Sequence, residues 1–257
     1  MRLTDLARGL VPQSVHDLLF RFSSARVSED LKHRYAMGNS MWWSLENVKR
    51  CGFSPRTVVD AGAYIGDWTR RTSKIWPAAE YLMVEPQPNK QDLLRSMCNG
   101  SVRLAPVLLG ASTSKSVPFH VGELGGSSVY EQIDGARFDE VTEMPVRTLD
   151  SLIEEYKLEG PFLLKADVQG YELEVLRGAA STLKQTEVIL LETSLLPYNV
   201  GAPLFAEVVS FLAQRAFVAY DICSFFRRQS DEAAFQADVI FVREDSRLRS
   251  QKAFFLS

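Results

Sequence analysis

Two short apolar runs, each ending in an aspartate and a glycine-containing turn, constrain this chain more than any other feature. The first, Thr57-Val58-Val59-Asp60, leads into Ala61-Gly62-Ala63-Tyr64-Ile65-Gly66. The second, Phe162-Leu163-Leu164-Lys165-Ala166-Asp167, leads into Val168-Gln169-Gly170. Continuous runs of this kind are strands buried on both faces, as in a parallel sheet. Helical spacing follows each turn, over Asp67 to Trp76 and again from Glu172, where Leu173, Leu176 and Ala180 share a face. Strand, turn and helix, twice over, predict a doubly wound α/β sheet. In such a sheet strand 4 lies beside strand 1 across the topological switch point, so Asp60 and Asp167 are expected to face one crevice.

The first loop narrows what that crevice can hold. A dinucleotide fingerprint places a second glycine where the pyrophosphate approaches the backbone, and here that place is taken by Tyr64. A carboxylate at Asp60 repels a pyrophosphate but attracts an ammonium or a sulfonium. S-adenosylmethionine carries both cations and no phosphate. Glu85, at the end of a second strand Tyr81 to Val84 and about twenty residues past the glycine loop, is placed to accept hydrogen bonds from two ribose hydroxyls. The loop therefore fits a methyl donor better than NAD.

Elsewhere the pattern is ordinary for the fold. Leu3, Leu6, Leu10, Val15, Leu18, Leu19 and Phe22 recur at helical intervals around Pro12, and Ser40 to Cys51 is a further helix carrying Trp42 and Trp43. A helix from about Asn89 to Met97 and a strand from Ser101 to Ala105 precede Pro106 to Ala111, an expected apolar wall containing Leu108. From Ser116 to Arg147 the pattern alternates around a Gly125-Gly126-Ser127-Ser128 turn, which predicts a β-rich insertion. Thr148 opens a helix to about Tyr156. A strand Glu187 to Leu191 then ends at Glu192, followed by a helix Pro203 to Gln214 and strands Phe217 to Ile222 and Ala237 to Val242.

Composition excludes several classes of function. The 257 residues are 46% apolar and 24% charged with a net charge of −3, which leaves no electrostatic footprint for nucleic acid. Cys51, Cys98 and Cys223 lack any ligand or C-x-x-C spacing, so neither a disulfide framework nor a zinc site is expected. No run reaches the ~18 apolar residues that span a bilayer, and the first residues lack the apolar core of an export signal. A cytoplasmic protein without an integral membrane segment is the expectation.

The motifs V-D-A-G-A-Y-I-G-D-W…V-E-P and L-K-A-D-V-Q-G-Y-E-L-E-V-L-R-G-A, with L-L-E-T at Leu190 to Thr193 and D-V-I-F-V-R at Asp238 to Arg243, resemble the FkbM family of S-adenosylmethionine-dependent methyltransferases. The specific part is Lys165-x-Asp167-x-x-Gly170-x-Glu172; Ala166 stands where family members often carry Ile or Met. The resemblance covers roughly residues 57–243. It implies a Rossmann-like seven-stranded methyltransferase sheet with helices on both faces and its last strand antiparallel. It also implies O-methylation of a hydroxyl on a sugar or natural product, with S-adenosyl-L-homocysteine released. The chain accordingly divides into an N-terminal helical extension (1–52), the methyltransferase domain (53–245) with its insertion near 116–147, and a tail (246–257).

The expected donor site comprises Asp60, Gly62, Ala63, Tyr64, Gly66, Glu85, Pro86, Leu108 and Asp167. For the base that takes the acceptor's proton, Asp167 is the first candidate, with an alternative role in holding the donor's ammonium; Glu192 and His120 follow. His16 and His33 have no supporting context. No metal is assigned, although Asp167, Glu192 and Asp238 are hard oxygen ligands of the kind magnesium takes. The rival readings are a non-catalytic binding module on the same scaffold and an NAD-dependent oxidoreductase.

Overall fold

Each expected strand–turn–helix unit folds as such, and the units assemble edge to edge. A computed structural model of the chain describes residues 40–121, 127–131, 133 and 140–250. The helices expected before residue 23, His16, His33, Gly125, Gly126 and the end of the tail lie outside the described residues. A helix α1 (Met41–Arg50) precedes strand β1 (Thr57–Ala61), helix α2 (Asp67–Ile75), strand β2 (Glu80–Val84), helix α3 (Pro88–Met97) and strand β3 (Val102–Ala105). The short β4 (Leu108–Leu109), β5 (Ser114–Val121) and β6 (Glu140–Arg147) follow, then helix α4 (Leu149–Tyr156) and strand β7 (Phe162–Ala166). Helix α5 (Glu172–Arg177), strand β8 (Thr186–Ser194), helix α6 (Phe205–Ala213), β9 (Phe217–Arg227) and β10 (Ala234–Arg243) complete the order.

The main sheet has seven strands in the order β3-β2-β1-β7-β8-β10-β9. Its pairings from β3 to β8 are parallel, while β10 runs antiparallel to both β8 and β9. Strand order reverses between β1 and β7, so the switch point lies there. The last two strands are longer than the sequence pattern predicts. Phe225 and Phe226 are exposed near the end of β9, which is the edge strand of the sheet.

Helices cover both faces. One core joins Val59, Ala61, Leu164 and Ile189 of the sheet to Leu152 of α4, Leu176 of α5 and Leu212 of α6. The other joins Val58, Leu163 and Leu190 to Leu45 of α1, Trp68 of α2 and Leu94 of α3. Helix α1, expected as part of the N-terminal helical extension, packs on the sheet. Trp42 and Trp43 are half-buried, and the Arg71 guanidinium stacks 3.9 Å over the Trp42 ring. Ala180 is exposed because α5 ends at Arg177, three residues short of it. Among the described residues the three cysteines are free, and no helix is long and apolar enough to cross a membrane.

The stretch between β3 and α4 forms a separate three-stranded sheet, β4-β6-β5, with a small core of Leu108, Phe119, Met144 and Val146. Its inner side meets the carboxyl ends of the parallel strands, where ligands bind in open α/β folds.

Candidate active site

At the switch point β1 and β7 run in register, with Asp60 opposite Lys165 and Ala61 opposite Ala166. The loops that follow touch. The Asp167 N–H donates to Ala61 O at 3.1 Å, and a Cβ on Gly62 would lie 1.9 Å from Asp167 O, so only glycine fits there. Alternation along β1 and β7 sends Val58 and Leu163 to the face covered by α2, and Asp60 and Lys165 point the same way. Lys165 is 5% exposed. Its Nζ lies 3.0 Å from Asp60 Oδ1 and 3.7 Å from Asp167 Oδ2, and donates to Gly62 O at 2.9 Å. Burial works against the ammonium, but the two carboxylates outweigh it and hold its pKa above the ordinary lysine value.

This geometry gives Asp60 its partners within the protein. The residue is fully buried, its Oδ2 accepts from Thr69 Oγ1 of α2 at 2.7 Å, and its charge is paired with Lys165. It has no face on the neighbouring cavity. Asp167, one residue past the end of its strand, keeps a side chain 39% exposed and does line that cavity.

The cavity, of about 280 Å³, opens at the carboxyl ends of β1, β2 and β7. Gly62, Tyr64, Glu85, Pro86, Leu108 and Asp167, all expected donor contacts, line it, with Val107 and Leu109 extending the apolar wall. Tyr64 adopts a left-handed backbone (φ 50), which turns its N–H onto Glu85 Oε2 at 2.8 Å; Glu85 Oε1 accepts from Gln87 N at 2.9 Å. Burial raises the Glu85 pKa, and these N–H donors oppose the rise. No Lys, Arg or His lies among the described lining residues.

Beyond Asp167 the polar groups continue along the sheet. Gln169 Nε2 donates to Asp167 Oδ1 at 3.0 Å and to Glu192 Oε2 at 2.9 Å, and Gln236 Nε2 also donates to Glu192 Oε2 at 2.9 Å. Gln169 holds a left-handed backbone (φ 53), and its carbonyl accepts from Ser128 Oγ at 2.9 Å and Asn199 Nδ2 at 2.6 Å. Burial, followed by the nearby charges of Asp167, Glu172 and Asp238, pushes the Glu192 pKa well above the usual glutamate value. Glu172 clasps the turn between them: its Oε1 accepts from Val168 N and Gly170 N, both at 3.1 Å. Burial lifts its pKa to about 7 against those bonds. Among the described residues no group of three or more His, Cys, Asp or Glu is arranged to hold a metal ion.

The family model of the methyltransferase FkbM domain matches residues 60–219, more than half of the chain. The chain belongs to the FkbM methyltransferase family. This FkbM chain is also similar to solved structures. It aligns with the methyltransferase FkbM of Methylobacillus flagellatus KT at 15% identity and a TM-score of 0.48, over 72% of this chain and 43% of that one. It therefore spans under half the length of that protein. A precorrin-6y C5,15-methyltransferase from Geobacter metallireducens GS-15 aligns at 11% identity, TM-score 0.42, over 78% and 86% of the two chains. The 1,6-didemethyltoxoflavin-N1-methyltransferase of Burkholderia thailandensis, solved with 1,6-didemethyltoxoflavin and S-adenosylhomocysteine, aligns at 12% identity, TM-score 0.42, over 92% of each chain. No protein of curated function matches the sequence.

Several motif residues of the FkbM domain lie away from the cavity. Ala63 is buried in the core on the α2 side. Gly66 (φ 78) precedes α2, where a Cβ would come within 2.5 Å of Met97 Sδ, so its glycine answers to packing. Phe119 lines the cavity, and alternation along β5 therefore turns His120, the third candidate base, to the opposite face. Glu192 is not part of the lining and meets the site through Gln169. The motifs do not single out Gln87, Phe119, Gln169 or Tyr171, all of which line the cavity. The alternation of Val117-Pro118-Phe119-His120 carries the signal for Phe119; Gln87 and Gln169 sit two residues after the acids Glu85 and Asp167.

Proposed function

We propose that this chain transfers a methyl group from S-adenosyl-L-methionine to a hydroxyl of a small molecule, a sugar or natural product, and releases S-adenosyl-L-homocysteine. The observation that carries the reading is the cavity lining: two carboxylates, Glu85 and Asp167, and no cationic side chain among the described lining residues. Such a lining favours a cationic nucleoside without phosphate and opposes a dinucleotide. Each Glu85 oxygen accepts one backbone N–H, which leaves each a further lone pair for a ribose hydroxyl. Pro86, Val107 and Leu108 supply an apolar wall for an adenine ring.

The donor supplies an electrophilic methyl on a sulfonium whose positive charge is lost on transfer. The chain's part is alignment, exclusion of water and removal of a proton. Asp167, exposed to the cavity and tethered by Lys165 and Gln169, is the group proposed to take the hydroxyl proton. Glu192 stands behind it on the same amide nitrogen, with a raised pKa that suits a proton acceptor.

Calorimetric titration with S-adenosylhomocysteine tests the reading. Binding in the wild type, weakened about tenfold or more in a folded Glu85→Gln variant, is the expected result; absence of heat in the wild type defeats it. Incubation with methyl-labelled donor in a host extract should yield a product with an O-methyl resonance, and an N-methyl resonance would move the acceptor to another class.

A further inference from the structure

Around Gln169 the fold carries two costs that packing does not explain. Its backbone is left-handed (φ 53), a conformation natural to glycine and strained for a residue with a side chain. Asn199 is 3% exposed, and its side chain makes one hydrogen bond, from Nδ2 to Gln169 O at 2.6 Å; its Oδ1 has no partner among the described residues. Backbone strain and unpaired buried groups persist where a site requires them. Both costs here serve to fix one residue.

That residue's amide nitrogen has two hydrogens, and both are used, on Asp167 Oδ1 at 3.0 Å and Glu192 Oε2 at 2.9 Å. Turning the amide over would set its oxygen against two carboxylates, so its orientation is fixed. Lys165, the other partner of Asp167, stands 3.7 Å away and is held 3.0 Å from Asp60. Gln169 is therefore the one hydrogen-bond donor to the Asp167 carboxylate among the described residues, and it sets how that group is turned. Its own carbonyl is held by Ser128 Oγ at 2.9 Å and by Asn199, from segments 41 and 30 positions away. Ser128 is in turn locked to β5, exchanging backbone bonds of 2.8 and 3.0 Å with His120.

We infer that Gln169 is a positioning residue for methyl transfer, holding the Asp167 carboxylate toward the acceptor, and that Ser128 and Asn199 act on the reaction through it. The inference rests on the reading of Asp167 as the group that takes the acceptor's proton. A misplacement of about 1 Å at a reacting group can cost about a hundredfold in rate. A nucleoside bound at Glu85 does not depend on that alignment.

The test measures label transfer by the full chain from saturating methyl-labelled S-adenosylmethionine, with an extract of the native host as the source of acceptor. Affinity for S-adenosylhomocysteine and the urea midpoint are read on the same variants. Gln169→Gly suits the left-handed backbone and keeps the carbonyl; transfer should fall about tenfold or more, with affinity within about threefold of the wild type. Gln169→Met, of similar length and without donors, gives the same reading should the glycine variant fail to fold. Asn199→Leu should also slow transfer while its urea midpoint stays close to the wild type's, because the unpaired oxygen leaves with the side chain. Added to Gln169→Gly, Asn199→Leu or Ser128→Ala should slow transfer by less than about twofold more, since the group through which each acts is gone.

Undiminished transfer in the Gln169 variants, with transfer lost in Asp167→Asn, overturns the inference and leaves the proposed base standing. Rate, affinity and urea midpoint falling together in Gln169→Gly show a structural role and overturn it too. So does a double variant in which Asn199→Leu exerts its full effect again. Undiminished transfer in Asp167→Asn defeats the proposed base and this inference with it.

Discussion

Asp60 and Asp167 end adjacent parallel strands with similar sequences, Val59-Asp60-Ala61-Gly62 against Ala166-Asp167-Val168-Gln169-Gly170, yet they end in opposite environments. Asp60 is the penultimate residue of β1 and is fully buried, whereas Asp167 lies one residue beyond β7 and opens onto the cavity. A shift of two residues relative to the strand end separates a carboxylate sealed under a helix from one available to a ligand. Lys165 is the hinge of the comparison. It balances the buried charge at 3.0 Å and tethers the exposed one at 3.7 Å, so one cation both secures the fold and orients the site.

The sharpest way to break this contrast is to remove the shared cation. Lys165→Met leaves Asp60 buried without a counter-charge, and a loss of about 3–5 kcal/mol in urea unfolding is expected, the range for stranding one partner of a buried pair. A loss below about 1 kcal/mol would show that Asp60 is solvated by other means.

The second test sets the two aspartates against each other. Asp60→Asn should cost about 2–3 kcal/mol of stability, because Lys165 loses its nearer partner and Thr69 a charged acceptor. Asp167→Asn should stay within about 1 kcal/mol, since its side chain is 39% exposed. Its effect should fall on turnover more than on donor affinity; the reverse would make it a donor ligand. Equal losses of stability would erase the distinction between the sites.

The turn that presents Asp167 carries a pH dependence of its own. Glu172 has a folded pKa of about 7, raised by burial above the ordinary 4.5, so the native state binds its proton more tightly than the unfolded chain does. Stability from this group is therefore full below the unfolded value and is lost as pH rises through about 7. Denaturation midpoints should decline between those limits, and Glu172→Gln should remove about 1–3 kcal/mol of that decline. An identical slope in the variant would place the pH dependence elsewhere, in Glu85 or Glu192, whose pKa values burial also raises.

The smallest effect is expected at His120. With Phe119 on the cavity side of β5, His120→Ala should change stability by about 0.5 kcal/mol or less and leave S-adenosylhomocysteine affinity unchanged. A tenfold loss of affinity would return the histidine to the site.

Much of this arrangement was legible before folding, because period and turn chemistry are local. Val58-Val59, Leu163-Leu164 and their glycine turns mark two parallel strands of one sheet, and the Tyr64 loop with Glu85 already argues for a cationic nucleoside. What the chain order leaves open is which acids meet the ligand. Lys165 reads as an interruption in an apolar run, and only the register of β7 against β1 pairs it with Asp60. Gln169 carries no motif of its own, yet side-chain donors from Ser128 and Asn199, 41 and 30 positions away in sequence, hold its carbonyl while its amide lies between Asp167 and Glu192. The sequence by itself determined the layers, the direction of the strands and the acidic character of their ends, since these depend on residue type and spacing over a few positions. The tertiary structure decided which carboxylate is sealed, which is exposed and which amide is left unpaired, because desolvation and charge pairing depend on neighbours that the chain brings together only when it closes.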